Sequence, residues 1–382
     1  MGIKNLNKLV KKHPISKVQC ENLIVDGYNV VITLIQSILA SIRTAPVREN
    51  IIETFKFMVD RIGERIKDLI NRTVNSNECQ FIYFVIDGLE QKPLELESGE
   101  VIDIKGGEHE KRAKAMESQK ERILESINKI EDTEMIEVET ERRFFELGSN
   151  FHYLIFPVLY KVYDIMDKDN FIMIESIYEA DYTIANLAHD LNDSIIMSLD
   201  TDFYVMCCDL PNTYIYNIKD SKLYNPYSEW NDVLSKFQLQ FDKRFIYRLA
   251  PLFGNDYTAN ETGKQSIMSA EDEKWLKCVI MKDEEPTQRQ RKLMSFKECI
   301  KYNEDTIRIE ELDAAVLEFS KNNELYKNYY ENYRRSVSAY ENMSIYNEYE
   351  IYVPKNVGTS EIEKLFPNPK TFRDTQYDDL LD

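Results

Sequence analysis

The chain has 382 residues, enough for one large domain or two smaller ones, and its 43% hydrophobic and 12% aromatic content excludes global disorder. A formal net charge of −19 and a pI near 4.9 exclude non-specific coating of nucleic acid by the whole surface, so such contact needs local basic patches or metal ions that screen the acids. The six cysteines show no CxxC pair, no stretch approaches a transmembrane span, and MGIKNLNKLVKK lacks a signal-peptide core, so free thiols, no membrane and a cytoplasmic or nuclear location are expected.

Residues 1–21 read as a short amphipathic helix and a loop. Leu23 to Val25 reads as a buried strand ending at Asp26, with Gly27-Tyr28-Asn29 as a turn and Val30 to Ile42 as a helix. A second helix is predicted over about 47–71, with Ile51, Phe55, Met58, Val59 and Ile62 on one face. Phe81 to Ile86 (FIYFVI) is the second strand, and it ends at Asp87-Gly88. An apolar strand followed by Asp and Gly thus occurs twice. Each instance alone is an ordinary turn signal. Two in successive βα-like units point to acids gathered at strand ends.

Residues 89–107 contain Pro93, Gly99, Gly106 and Gly107 and read as an irregular loop. The charged helix predicted over about 108–130 carries Lys111, Arg112, Lys114, Lys120 and Arg122. It reads either as a solvated helix laced with i,i+4 ion pairs or as an arch that contacts phosphate. Met135 to Val138 reads as a strand, Asn150 to Met166 as an apolar core helix, and Phe171 to Ile174 as a strand.

The stretch EADYTIANLAHDLNDSIIMSLDTDFYVMCCD, from Glu179 to Asp209, holds two close acidic pairs. Ala180, Ile184, Leu187, Ala188 and Leu191 recur at helical spacing, which predicts a helix over 178–191 with Glu179 and Asp181 in its first turn. Ser194 to Leu199 predicts a buried strand, with Asp200 and Asp202 at its C-terminal end, where open α/β sheets keep their ligands. Capping, turn chemistry or solvated charge would explain any one of these acids. Two pairs flanking one βα unit are harder to explain so. Crowded carboxylates take up protons unless something neutralises them. A hard divalent cation such as Mg²⁺ or Mn²⁺ does so and prefers oxygen ligands.

Thr213 to Ile218 and Lys222 to Asn225 read as a hairpin turning at 219–221. Helices are predicted over about 230–237 and 244–253, the second running into Gly254-Asn255-Asp256-Tyr257 and adding Asp256 as a seventh acid. From 258 the chain turns polar, with a charged link at 283–293, a long Tyr-rich helix over about 312–336, and a wrapping or disordered tail after Val353.

The seven acids Asp26, Asp87, Glu179, Asp181, Asp200, Asp202 and Asp256, in the settings VDGYN, FVIDG, YEADYTIANL, LDTDFYVM and FGNDY, resemble the motif series of the flap endonuclease and XPG-type 5′-nuclease superfamily. The opening MGIKNL also looks like that family's N-terminus. The order and rough spacing are kept over residues 1–257. EADYTIANL, SLDTDFYVMCCD and VDGYNVVITL are most similar to the herpesvirus virion host shutoff endoribonucleases, and GNDY is also similar to the large 5′→3′ exoribonucleases. TANETGKQSIMS does not match the glycine-rich helix–hairpin–helix of flap endonucleases, and the C-terminus shows no sliding-clamp motif.

The resemblance implies a PIN-like α/β/α sandwich with a mostly parallel central sheet, plus a helical C-terminal part. It implies a catalytic domain over 1–257, with an arch-like segment at 89–130, and a helical, partly irregular extension over 258–382. It implies hydrolysis of phosphodiester bonds in DNA or RNA with two Mg²⁺ ions, or Mn²⁺. Asp87, Glu179, Asp181 and Asp200 would be the closest ligands, with Asp26, Asp202 and Asp256 binding directly or through water. Lys111, Arg112 or Lys114 would steady the scissile phosphate, with Lys105 as another candidate. Two competing classes are a nuclease-derived scaffold without chemistry and a phosphatase-like hydrolase. The first usually loses several of the acids, and all seven stand here. The second needs a nucleophilic Asp in a motif this chain lacks.

Overall fold

The computed structural model describes residues 13–42, 51–87, 152–166, 170–236, 241–252, 254–255, 313–314, 316–317, 320, 329–346 and 349–352, with Ile3, Leu6, Val10 and the pairs 94–95, 101–102, 259–260 and 263–264. Seven strands, β1 (Asn22–Asp26), β2 (Phe81–Asp87), β3 (Phe171–Ser176), β4 (Ser194–Met197), β5 (Thr213–Asn217), β6 (Lys222–Tyr224) and β7 (Tyr349–Tyr352), are hydrogen-bonded in the orders β7-β3-β2-β1 and β4-β5-β6. The chain divides into two compact units, one of Lys17–Ile184 with Glu348–Asp382 and one of Met1–Ser16 with Ala185–Asn347.

In the first unit β1, β2 and β3 pair in parallel, with Asp26 opposite Val85 and Asp87 opposite Ser176. Parallel strands covered on both faces read as unbroken apolar runs. Leu23 to Val25, Ile82 to Ile86 and Phe171 to Ile174 are all buried. Each such side chain contributes about 1.5–3 kcal/mol by leaving water. β7 lies antiparallel to β3, so part of the region read as an extension completes the sheet edge.

Among the described residues of this unit are the helices α1 (Gly27–Ile42), α2 (Ile51–Asn77) and α3 (His152–Ile165). Along α2, Met58, Ile62, Ile66, Leu69, Ile70, Thr73, Val74 and Asn77 are buried, the three-and-four spacing of one helical face. The helix predicted to stop near residue 71 runs six residues further. Asn77 then ends it by accepting the Val18 N–H at 3.1 Å on its side chain and the Cys20 N–H at 3.1 Å on its carbonyl.

The turn predicted at Gly27-Tyr28-Asn29 is instead the first turn of α1. The Asp26 carboxylate accepts the Asn29 N–H at 3.1 Å and so caps the helix. Gly27 is required for space: a Cβ there would stand 2.6 Å from Phe84 Cε1 and 2.8 Å from the Val85 carbonyl oxygen.

In the second unit β4 and β5 are parallel, and β5 turns back antiparallel to β6 at the predicted hairpin. Ser221 takes a left-handed φ of 55° in that turn. Helices α4 (Ala180–Leu191), which starts in the first unit, α5 (Phe203–Met206), α6 (Pro226–Lys236), α7 (Lys243–Leu252) and α8 (Tyr329–Glu341) follow in order. The short α5 was not expected. Its place is held by α6, whose buried Trp230 donates its indole N–H to the Tyr204 carbonyl at 2.7 Å. α8 packs on α7: the Tyr329 hydroxyl donates to the Pro251 carbonyl at 2.5 Å, and the Tyr247 and Tyr340 rings stack with centroids 5.8 Å apart. Arg248 of α7 also pairs with Asp313 at 3.2 Å and Glu341 at 2.7 Å.

The predicted helix over 108–130, the strand over 135–138, the link over 283–293 and the tail after Val353 lie outside the described residues. Among the described residues no helix is long and apolar enough to cross a membrane.

Candidate metal centre

Two predicted acids sit at the C-terminal ends of neighbouring parallel strands. Asp26 closes β1 and is 3% exposed; Asp87 closes β2 and is half-buried. Asp26 caps α1, as described. Asp87 reaches α4: its Oδ1 accepts the Ala180 N–H at 2.8 Å. An ionised acceptor on a helix's first amides gains from both the hydrogen bond and the helix dipole. Thr183 of α4 donates to the Ser176 hydroxyl at 2.8 Å, tying the same helix to the end of β3.

Glu179 stands one residue ahead of α4, not in its first turn. Its backbone carbonyl accepts the N–H groups of Tyr182 at 3.2 Å and Thr183 at 3.4 Å, and the residue is 4% exposed. Asp181 does lie in the first turn and is half-buried.

The turn after β4 is built by short polar side chains that bond their own backbone. β4 ends at Met197, two residues before the predicted end. Ser198 Oγ accepts the Asp200 N–H at 3.0 Å, and Asp200 Oδ1 accepts the Asp202 N–H at 3.0 Å. The Asp202 carbonyl then accepts the N–H groups of Val205 and Met206, each at 2.9 Å, and starts α5. Thr201 donates to the Ile3 carbonyl at 3.2 Å, which anchors the turn to the N-terminal segment.

One oxygen from each of Asp200 and Asp202 lies within 4.8 Å of the other. Asp200 and Asp202 are only 6% and 8% exposed, too covered for water to screen them fully. Two like charges at that distance repel by about 3 kcal/mol at an effective dielectric of about 20. A divalent cation reverses the sign of that term, and one or two carboxylates, with waters, are the oxygen donors that Mg²⁺ takes. The donors therefore fit the implied ions. The turn brings Asp202 beside Asp200, whereas the resemblance placed only Asp200 of the two among the closest ligands and had Asp202 bind directly or through water.

Asp256, Lys111, Arg112, Lys114 and Lys105 fall outside the described residues. Sequence reading missed Tyr340, whose hydroxyl donates to Asp202 Oδ1 at 3.3 Å. It also missed Asn255, whose amide donates to the Tyr340 hydroxyl at 3.2 Å and to Ser336 Oγ at 2.6 Å. The one available signal was the tyrosine-rich run YYENYRRSVSAYE, which gave no hint of its partners.

No protein-family model matches the chain, and no curated protein is similar to it in sequence. Among solved structures it is similar to the D15 protein of bacteriophage T5 co-crystallised with metal ions, at 12% identity and a TM-score of 0.37, over 86% of this chain and 96% of that one. It is similar to the catalytic core of Rad2 in complex with a DNA substrate, at 11% identity and a TM-score of 0.42, over 96% and 95% of the two chains. It is similar to flap endonuclease-1 from Methanococcus jannaschii, at 12% identity and a TM-score of 0.39, over 89% and 99%. These structures do not bear on the herpesvirus branch.

Proposed function

We propose that the chain is a divalent-metal-dependent nuclease that hydrolyses phosphodiester bonds in DNA or RNA. The observation that carries this reading is the buried Asp200–Asp202 pair, whose mutual repulsion a bound cation relieves. It stands within the acidic motif series that resembles the 5′-nucleases.

In this reading Asp181, Asp200 and Asp202 hold the ions, with Asp26, Asp87, Glu179 and Asp256 completing the set directly or through water. Divalent ions held there would lower the pKa of a bound water and offset charge on the leaving oxygen. The chain's own work is orientation. Asp87 fixes the first turn of α4, which carries Asp181. The Ser198–Asp200–Asp202 turn fixes the other two carboxylates. Lys111, Arg112 and Lys114 are assigned to the scissile phosphate from sequence alone. Binding is then salt-sensitive, with weak sequence preference, because phosphate contacts carry no base information.

A second reading, an endoribonuclease that degrades mRNA, stays open because the unmatched duplex-binding motif after Asp256 and the net charge of −19 weaken the DNA-flap reading. Cleavage of a 5′-flap DNA duplex and of single-stranded RNA, each with Mg²⁺, Mn²⁺ or EDTA, separates the two. The nuclease reading expects metal-dependent cutting of at least one substrate, abolished in an Asp200→Ala/Asp202→Ala variant. Cutting of neither leaves the inactive scaffold as the better account, and undiminished cutting by the double variant overturns the assignment of the chemistry to these aspartates.

A further inference from the structure

We propose that Tyr340, from the C-terminal region to which the sequence assigned no role, is a positioning residue of the metal centre. The proposal rests on the reading of the carboxylate cluster as a cation site. Its own support is a buried hydrogen-bond relay with a forced direction. Asn255, Ser336 and Tyr340 are 0%, 0% and 1% exposed. The Asn255 amide nitrogen can only donate, so the Tyr340 oxygen accepts that bond at 3.2 Å. The phenol has one proton, and the Asp202 carboxylate, at 3.3 Å from Oδ1, is an acceptor for it. Donor order therefore runs from Asn255 through Tyr340 to Asp202. The Tyr340 ring is fixed against Tyr247, with centroids 5.8 Å apart and planes at 29°. The backbone at Gly254, with a φ of 85°, brings Asn255 into the relay.

A carboxylate held on one oxygen by a rigid donor keeps its orientation when an ion arrives. Partners of this kind, one bond behind a metal ligand, change metal affinity when removed. The relay also gives Asn255 a role between Gly254 and Asp256.

The test uses the full chain and Mn²⁺ as the probe, without nucleic acid. Mn²⁺ affinity is measured by calorimetry for the parent, Tyr340→Phe and Asn255→Ala, together with the melting temperature of each metal-free protein. Tyr340→Phe keeps the ring and removes only the donor. The expected result is Mn²⁺ affinity weakened by about tenfold or more in Tyr340→Phe. Asn255→Ala weakens it in the same direction and serves as the readout if Tyr340→Phe is too unstable to purify. Unchanged affinity in the variants while the parent binds Mn²⁺ overturns the proposal and leaves the metal-centre reading intact. A lowered metal-free melting temperature with unchanged affinity also overturns it, because the hydroxyl is then only a packing element. A parent that binds no Mn²⁺ overturns the metal-centre reading itself, and this proposal with it.

Discussion

The Asp87 carboxylate at the end of β2 accepts the Ala180 N–H at the start of α4, at 2.8 Å and across 93 residues of sequence. The bond joins a strand end to the helix that carries Asp181, so an acid predicted as a metal ligand also sets where a neighbouring acid stands. Removing a helix-capping acceptor costs about 1 kcal/mol. Asp87→Ala is expected to lower the urea midpoint accordingly, and Asp87→Asn, which keeps an acceptor oxygen, to lower it less. Equal midpoints for parent and Asp87→Ala would show that the bond contributes nothing.

Metal binding should be visible as stability. An ion that binds only the folded chain adds about 2.7 kcal/mol at a hundred times its Kd. Millimolar Mn²⁺ or Mg²⁺ is expected to raise the melting temperature, and EDTA to restore it. Asp200→Asn keeps the oxygen that accepts the Asp202 N–H but removes one negative charge from the cluster. That variant should melt no lower than the parent in EDTA, since repulsion is relieved, and should lose most of the metal-induced rise. A full rise in Asp200→Asn would exclude this aspartate as a ligand.

Gly27 sets two effects against each other. Helix propensity alone favours alanine by up to about 1 kcal/mol. A Cβ at 2.6 Å from Phe84 Cε1 and 2.8 Å from the Val85 carbonyl oxygen is overpacked, at a cost of about 1–3 kcal/mol. The backbone oxygen cannot move aside as a side chain can, so packing wins. Gly27→Ala is expected to be destabilised in a denaturant titration; a gain in stability would mean that α1 shifts freely on β2.

Gly254 presents a backbone problem. Its φ of 85° is left-handed, where a side chain costs about 1–2 kcal/mol. Gly254→Ala should lose stability of that order and weaken Mn²⁺ binding by displacing Asn255 from Tyr340. A variant with the parent's melting temperature would show that the turn relaxes without strain.

Stability should fall in alkali. Burial pushes the phenols of Tyr83 and Tyr224 up to about 12, with Glu21 adding for the first and the Asp220 hydrogen bond for the second. Burial raises Tyr204, Tyr247 and Tyr333 as well, and it raises the thiols of Cys207 and Cys208, which Asp209 pushes further. Unfolded thiols release protons near about 8.5 and unfolded phenols near about 10. The folded chain keeps those protons, so it loses stability as pH climbs above these values towards the raised ones. The urea midpoint should drop between about pH 7.5 and 10.5, and Cys207 and Cys208 should resist alkylation until unfolding. An unchanged midpoint would contradict the burial of these groups.

Much of this was legible in the residues. β1, β2 and β4 are covered on both faces, which leaves short apolar runs closed by Asp or Ser, and α4 shows its period because its inner side is apolar. The pairing of acids within Glu179–Asp181 and Asp200–Asp202 could be read for the same local reason. Periodicity reports which side of an element is covered, never what covers it. Asp26-Gly27 therefore looked like a turn, because local statistics carry no record of Phe84 pressing on the glycine. Tyr340 meeting Asp202 across 138 residues, and β7 closing on β3, depend on how separate elements pack, and no local pattern encodes them.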